Sequence, residues 1–547
     1  MKEPTAHTLE LVVTDLARQR PDAPALVAGT VRWTYRELDN AVTQAADALR
    51  SLGVTAGGGV GLLAGNTAAW PTIALGAHRA GARVDAFNTW VKAWDLDHLI
   101  ASSRCSTLVM TPTVRSADLL GELRKLLPEL WESAPGQWHS ERFPALRHVV
   151  LLGDPVEMPQ GARRWDEVVA SAEPLARPAA PAPNDTAFVL YTSGSSAAPK
   201  AVPLLHRDLV LNGFHIGERM RLDGEDRVWL GSPLFWSFGS ANALVATLSH
   251  GACLVLQEQF SAEEAAHILG EEHCTAAYLL PSMVDALMPL AEQVRKISSL
   301  RTGVTIGRPD EIRKVAVDLG IHEVCNVYGS TEIYGNCCVA HCDAPLDDRL
   351  VSQGSPLPGV KLRVVDDATG ELRTADATGE LHVRGRIMPG YLGQPKATAA
   401  AMTVDGWYRT GDRVTLRADG TMEFRSRLID MIKTSGINVS PAEVEGHLCQ
   451  HPAVLSAAVV GAPHPARGEV VVAFVTTRDD KIEGSTLREW CRERIAGYKV
   501  PWEIVVVPTL PSTTTGKILK RALVEDAIQR VASANSEPGP NEKGNAR

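Results

Sequence analysis

The chain has 547 residues, 45% hydrophobic and 22% charged, a length beyond one hydrophobic core and a composition far from disordered or collagenous sequences. Its 55 basic and 64 acidic residues leave a net charge of −9, so no general positive field draws in nucleic acid or an anionic membrane, and any anionic ligand must be held locally. Nine scattered cysteines lack the spacing of a secreted disulfide framework, and no run reaches the roughly 18 apolar residues of a membrane span.

Residues 1–20 carry acidic groups and no signal-peptide core, so a cytoplasmic location is expected. Leu9, Val12, Val13 and Leu16 recur at helical spacing, and Trp33-Thr34-Tyr35-Arg36-Glu37-Leu38 reads as a short strand running into a helix. Apolar runs at 60–63, 107–110, 149–152, 187–191 and 253–256 then alternate with helical patterns, which predicts parallel sheets covered by helices. The stretch 172–183, rich in Ala and Pro, reads as a loop or linker. Past residue 350 the segments 359–366 and 379–385 predict a smaller β-rich unit. After Arg427 a new α/β pattern begins: Ser440-Pro441-Ala442-Glu443 carries a cap, a first-turn Pro and an acidic third residue, 470–475 is a strand, and Leu487, Trp490, Cys491 and Ile495 mark one helical face. The tail from Ala532 lacks the apolar content to pack and is expected to be disordered.

The segment with most chemical content is Tyr191-Thr192-Ser193-Gly194-Ser195-Ser196-Ala197-Ala198-Pro199-Lys200, directly after an apolar strand. Backbone N–H groups among small residues, four hydroxyls and one ammonium can surround a polyphosphate. A P-loop NTPase requires Gly before the Lys and Ser or Thr after it; Pro199 and Ala201 stand there instead. The plainer alternative is a surface loop of small polar residues. Cys337, Cys338, His341 and Cys342 could be read as metal ligands, but their spacing is not the separated double knuckle that structural zinc prefers.

This segment resembles the signature loop of the adenylate-forming superfamily, which includes acyl- and aryl-CoA synthetases, luciferases and peptide-synthetase adenylation domains. Ala197 and Ala201 stand where the usual form has Gly. The resemblance implies an α/β fold. An N-terminal AMP-binding domain over 1–427 would hold two parallel-sheet α/β subdomains and a small β-barrel-like subdomain at about 350–427. A small mobile α+β domain over 428–531 and a disordered tail, 532–547, would follow. Thr192, Ser193, Gly194, Ser195, Ser196 and Lys200 would contact the phosphates of ATP. Tyr328-Gly329-Ser330-Thr331-Glu332 resembles the element in which Tyr stacks on adenine, Thr meets the α-phosphate and Glu holds Mg²⁺; a carboxylate suits that hard cation. Asp412, in Trp407-Tyr408-Arg409-Thr410-Gly411-Asp412, matches the residue that accepts both ribose hydroxyls. Arg427 matches a nucleotide contact at the domain boundary, with Ile429 where the pivot is usually Asp or Lys. Lys433 follows in the same boundary string, and 434–438, with Gly436, resembles the loop that enters the site for thiol transfer. Lys517, after Pro511-Ser512-Thr513-Thr514-Thr515-Gly516, matches the lysine that bridges the substrate carboxylate and the α-phosphate, where negative charge concentrates during attack.

Pro233-Leu234-Phe235-Trp236-Ser237-Phe238-Gly239 resembles the element lining the acyl pocket, and Gly303, Val304, Thr305 and Tyr334 complete the expected wall. Aromatic, bulky linings favour a small aromatic, alicyclic or short-to-medium aliphatic acid. The expected reaction is ATP- and Mg²⁺-dependent formation of an acyl-adenylate with pyrophosphate release, then transfer to coenzyme A. A carrier-protein thiol, an amine or nitrite are the alternative acceptors. Partners are small molecules, with no nucleic acid and no membrane, and the chain is expected to be a monomer or homodimer.

Overall fold

The apolar runs of the N-terminal half form strands buried on both faces, as a parallel sheet covered by helices requires. The computed structural model describes residues 2–174, 181–192, 199–366, 369–373, 376–428, 431–478, 482–511 and 520–536. Of the expected linker, 175–180 fall outside these, as do the pivot position 429 and the segment 512–519. The chain divides into two units: Met1–Thr89, Leu96–Thr192 and Ala201–Leu428 form the first, while Trp90–Asp95, Ser193–Lys200 and Ile429–Arg547 form the second. Two short segments of the N-terminal half thus group with the C-terminal one, a feature that linear order does not display.

Among the described residues the first unit holds three sheets of five or more strands, beside a two-stranded pair, Thr113–Val114 with Ala117–Asp118. A seven-stranded sheet runs in the order Lys200–Leu205, Thr186–Thr192, Arg83–Ala86, Gly59–Leu63, Thr107–Met110, His148–Leu151, Arg163–Arg164, and its pairs from Thr186–Thr192 onward are parallel. A nine-stranded sheet is parallel through Glu323–Tyr328, Thr302–Thr305, Ala276–Leu279, Arg227–Leu230, Cys253–Leu256 and Pro24–Ala28, with short antiparallel strands at both edges. The β-rich region, expected to be barrel-like, is a five-stranded antiparallel sheet with Leu372–Arg373 and Met422–Arg427 at its edges. Register shifts at Glu380/His382 and Arg413/Val414 bend its strands, as bulges do. Local capping is strong where the sequence shows it: Thr34 and Glu37 form a reciprocal capping box on the helix Tyr35–Ser51.

The second unit carries the sheet Ile437–Val439, Ile432–Thr434, Gly468–Thr477, Val454–His464, with Glu503–Val506 parallel to Gly468–Thr477. Alternate residues of its two long strands face opposite sides. Val459, Val471, Ala473 and Val475 join Leu487 and Cys491 in one core, whereas Val460, Val470, Val472 and Phe474 join Leu523, Ala527 and Val531 in another. The helix Lys520–Ser536 therefore runs past Ala532, where a disordered tail was expected to start: packed Val531 lies at that point, and extending a formed helix costs less than starting one. Ser440 caps Pro441–Leu448 as its sequence signals, yet the Glu443 carboxylate turns to Lys499 Nζ at 2.7 Å. Lys499 is buried and also meets Asp95 Oδ1 at 2.5 Å, so this unit neutralises an interior ammonium with two carboxylates. Among the described residues no helix is long and apolar enough to cross a membrane.

Candidate active site

The strand Glu323–Tyr328 delivers Tyr328 to the C-terminal edge of the nine-stranded sheet, where ligands of open α/β sheets collect. A tight reversal follows. Gly329 is obligatory in it, because a Cβ would lie 1.9 Å from the Gly335 carbonyl oxygen. Gly335 N–H donates to Ser330 O at 2.9 Å, closing the turn around Thr331–Ile333. The Ser330 hydroxyl is buried and has no hydrogen-bond partner among the described residues.

Asp412 reaches the same place from the antiparallel sheet. Gly411, with φ +69°, sits just before it and the bulge at Arg413/Val414 just after. The Tyr328 hydroxyl donates to Asp412 Oδ2 at 2.7 Å, and Arg427 Nε lies 3.4 Å from Oδ1. Burial pushes the Asp412 carboxyl up from its ordinary range while the Arg427 guanidinium pulls it back. The Tyr328 hydroxyl is pushed well up, by burial first and Asp412 second, so it stays a donor. The Tyr328 ring stacks on Phe424 at 6.1 Å between centroids, and Phe424 remains 41% exposed. An ionised acceptor, a guanidinium and two adjacent rings are thus gathered from residues 328, 412, 424 and 427.

Glu332 is fixed from another direction. The Tyr391 hydroxyl donates to its Oε1 at 3.0 Å, and Met388 N–H donates to its carbonyl at 2.8 Å. Thr331 Oγ1 donates to Ser237 Oγ at 3.4 Å, which joins the expected acyl-pocket segment to the nucleotide segment. In that segment Phe238 packs edge-on to Tyr278 at 5.1 Å and Trp236 edge-on to Phe235 at 5.6 Å. Gly303 lies against backbone, where a Cβ would meet the Ala277 carbonyl oxygen at 2.2 Å; Val304 and Thr305 are buried beside it, and the Thr305 hydroxyl has no hydrogen-bond partner among the described residues. Tyr334 differs from the expected pocket side chain. It is fully buried at φ +60°, and its hydroxyl accepts from Leu205 N–H at 3.1 Å and donates to Asp208 at 3.4 Å, so its polar end holds the backbone.

Thr192 ends the strand Thr186–Thr192 with a buried hydroxyl that has no hydrogen-bond partner among the described residues, and Lys200 opens the strand Lys200–Leu205. Ser193, Gly194, Ser195, Ser196 and Lys517 lie outside the described residues. In the second unit Ile432–Thr434 and Ile437–Val439 pair as a hairpin around Ser435 and Gly436. Their φ values of +50° and +83° are those of a two-residue turn that twists with its strands. Lys433 projects from this hairpin opposite Asn438, and its N–H donates to Glu469 at 2.7 Å. Cys337 and Cys342 are buried, and burial pushes both thiols up, Cys342 to about 11. His341 Nδ1 accepts from Asp343 N–H at 3.2 Å within the three-residue group His341, Cys342, Asp343.

Sequence reasoning passed over Tyr391, Phe424 and the Ser237 hydroxyl as site groups. Tyr391 follows Gly390, whose φ of +140° bends the chain, and an aromatic after such a glycine was the available signal. Phe424 offered another: a large exposed aromatic on an edge strand, three residues before Arg427.

Residues 13–392 match the family model for AMP-binding enzyme, and residues 443–517 match that for the AMP-binding enzyme C-terminal domain. The chain is 30% identical over 551 residues to the putative acyl-CoA synthetase YngI of Bacillus subtilis (strain 168), covering 98% of this chain and 100% of the relative. It is 30% identical to the mitochondrial medium-chain acyl-CoA ligase ACSF2 of Mus musculus, covering 94% and 86%. Its structure resembles the amide bond synthetase McbA of Marinactinospora thermotolerans with a TM-score of 0.79 at 25% identity, covering 95% of this chain and 99% of that one.

Proposed function

The chain belongs to the AMP-binding enzyme family, and on that premise we propose that it is an AMP-forming acid–thiol ligase. A carboxylate oxygen attacks the α-phosphorus of ATP, the acyl–phosphate bond forms, and the bond to the β-phosphate breaks to release pyrophosphate. The sulfur of coenzyme A then attacks the acyl carbonyl, the thiol proton leaves, and AMP departs. The observation that carries this reading is the gathering of buried Tyr328 and Asp412 with the more exposed Arg427 into one cluster from distant motifs.

Each oxygen of an ionised Asp412 has lone pairs beyond those that meet Tyr328 and Arg427, so the group can also accept from a ribose diol. Arg427 offsets the carboxylate's burial and supplies positive charge beside the nucleotide. Glu332, with Tyr391 at Oε1 and Thr331 next to it, provides the hard oxygens that fit Mg²⁺, and that ion would neutralise phosphate charge. Lys200 and the hydroxyls of 192–196 are assigned to the phosphates and Lys517 to the carboxylate and α-phosphate. Lys433 and Gly436 are assigned to the thiol half-reaction. Trp236, Phe238 and the close-packed Gly303–Thr305 strand support a small aromatic, alicyclic or short-to-medium aliphatic acid. A cytoplasmic monomer or homodimer completes the proposal.

The test is a panel of such acids assayed for pyrophosphate and thioester, with and without coenzyme A. At least one acid should drive both products, and a panel with no acid-dependent pyrophosphate would refute the reading. The likeness to an amide bond synthetase favours one second reading, an amine acceptor. Acid-dependent pyrophosphate with amide and no thioester would select it.

A further inference from the structure

One buried charge cluster takes no part in the chemistry above. On one face of the seven-stranded sheet, strand periodicity places Arg83 and Asp85 beside Gly59 and Gly61 of the neighbouring strand and Val189 and Tyr191 of the other. Asp85 is fully buried. The Tyr191 hydroxyl donates to Asp85 Oδ1 at 3.1 Å, while Oδ2 lies 3.3 Å from Arg83 Nε without accepting a hydrogen bond among the described residues. Arg83 is itself anchored, donating from Nη2 to the Ser103 carbonyl at 2.6 Å.

Two glycines make the space. A Cβ on Gly59 would stand 2.8 Å from Asp85 Oδ2, and one on Gly61 would stand 3.1 Å from both Cys105 Sγ and the Phe87 ring. Phe87 meets the Tyr191 ring edge-on at 5.7 Å. Asp85 and Phe87 both meet Tyr191, the residue before Thr192. A buried carboxylate that accepts one hydrogen bond among the described residues and has one guanidinium 3.3 Å away is a costly way to pack a sheet face, and its place in a fitted space calls for a role.

We propose that Asp85 is a positioning residue for the phosphate-contacting strand end: through Tyr191 it fixes the backbone that carries Thr192. This rests on the assignment of that strand end to the triphosphate. The charged and titratable groups facing Asp85 among the described residues are Arg83 on its own strand, Tyr191 on one neighbour and Cys105, two residues past the helix Ala93–Ser103; the other neighbour presents Gly59 and Gly61. Burial raises the Asp85 carboxyl to about 7 against the pull of Arg83 and Tyr191, so its charge changes near neutrality. Ionised, it holds the tyrosine through a charge-assisted bond; protonated, it holds it about half as strongly.

The experiment measures KM for ATP and kcat in acid-dependent pyrophosphate release from pH 5.5 to 8.5 for the wild type, Asp85→Asn, Tyr191→Phe and Lys200→Ala, with folding checked by circular dichroism. Taking the ratio to Asp85→Asn removes the titration of ATP itself. In that ratio the wild-type KM should rise about 5-fold as pH falls through 7, the difference between a charged and a neutral hydrogen bond, with kcat within about 2-fold. Tyr191→Phe should be as flat as Asp85→Asn, and it decides the matter alone if Asp85→Asn fails to fold. A variant that keeps the wild-type pH dependence overturns the inference. An unchanged KM in Lys200→Ala would instead strike at the triphosphate assignment beneath it.

Discussion

Asp412 and Asp85 meet the same kinds of partner, and their difference separates binding from bracing. Asp412 accepts from a tyrosine at 2.7 Å and lies 3.4 Å from an arginine Nε; for Asp85 the distances are 3.1 and 3.3 Å. What differs is access. Asp412 has partly exposed neighbours, with Phe424 at 41% and the Arg427 side chain at 36%, whereas Asp85 is enclosed between sheet and helix and its arginine is tied to Ser103. A carboxylate with accessible neighbours can exchange them for a ligand, while an enclosed one acts only through the protein that surrounds it.

The sharpest attempt to break that contrast is Asp412→Ala. Losing two charged hydrogen bonds to a ligand should lower kcat/KM for ATP roughly 10²–10³-fold in the pyrophosphate assay. An effect no larger than that of Asp85→Asn would erase the distinction. The next effect lies in stability against pH. Because the folded pKa of Asp85 is raised above its ordinary value, ionising it works against the fold: the stability present below about pH 4 is lost as pH rises to about 7, then levels off. In urea melts the wild type should fall relative to Asp85→Asn with a slope of up to about 1.4 kcal/mol per pH unit in that window. Parallel curves would mean that the carboxyl is not buried as described.

Each carboxylate also has its own glycine, which tests the comparison from the backbone. Gly59→Ala places a Cβ 2.8 Å from Asp85 Oδ2, and overpacking of this kind should cost about 1–3 kcal/mol in denaturant melts. Gly411→Ala forces a side chain onto φ +69° and should cost about 1 kcal/mol, with KM for ATP rising because Asp412 moves with it. Equal KM changes from both glycines would merge the two clusters into one function.

The legible part of the fold was whatever repeats over a few residues. Unbroken apolar runs announced the parallel strands, Thr34 and Ser440 announced helix starts, and the strings around Tyr328 and Asp412 marked residues that the structure brings together. What was not legible there shares a cause. The tail from Ala532 was expected to be disordered, yet residues 532–536 continue a helix seated by Val531; Glu443, acidic in its helix's first turn, also pairs with Lys499, and the Tyr334 hydroxyl meets Leu205 and Asp208. In each, a partner far along the chain supplied what a local tendency of about 1 kcal/mol or less does not show.

Periodicity, caps and motif strings are written in neighbouring residues, because helix turns and strand pleats are short-range, and so the α/β class, the order of the elements and the family could be read in one dimension. Which strand lies beside which is a property of the assembled sheets. Only there did Asp85 acquire Tyr191, Glu332 acquire Tyr391 and Gly59 become a notch for a carboxylate, since the energy of a buried charge depends on what surrounds it in space.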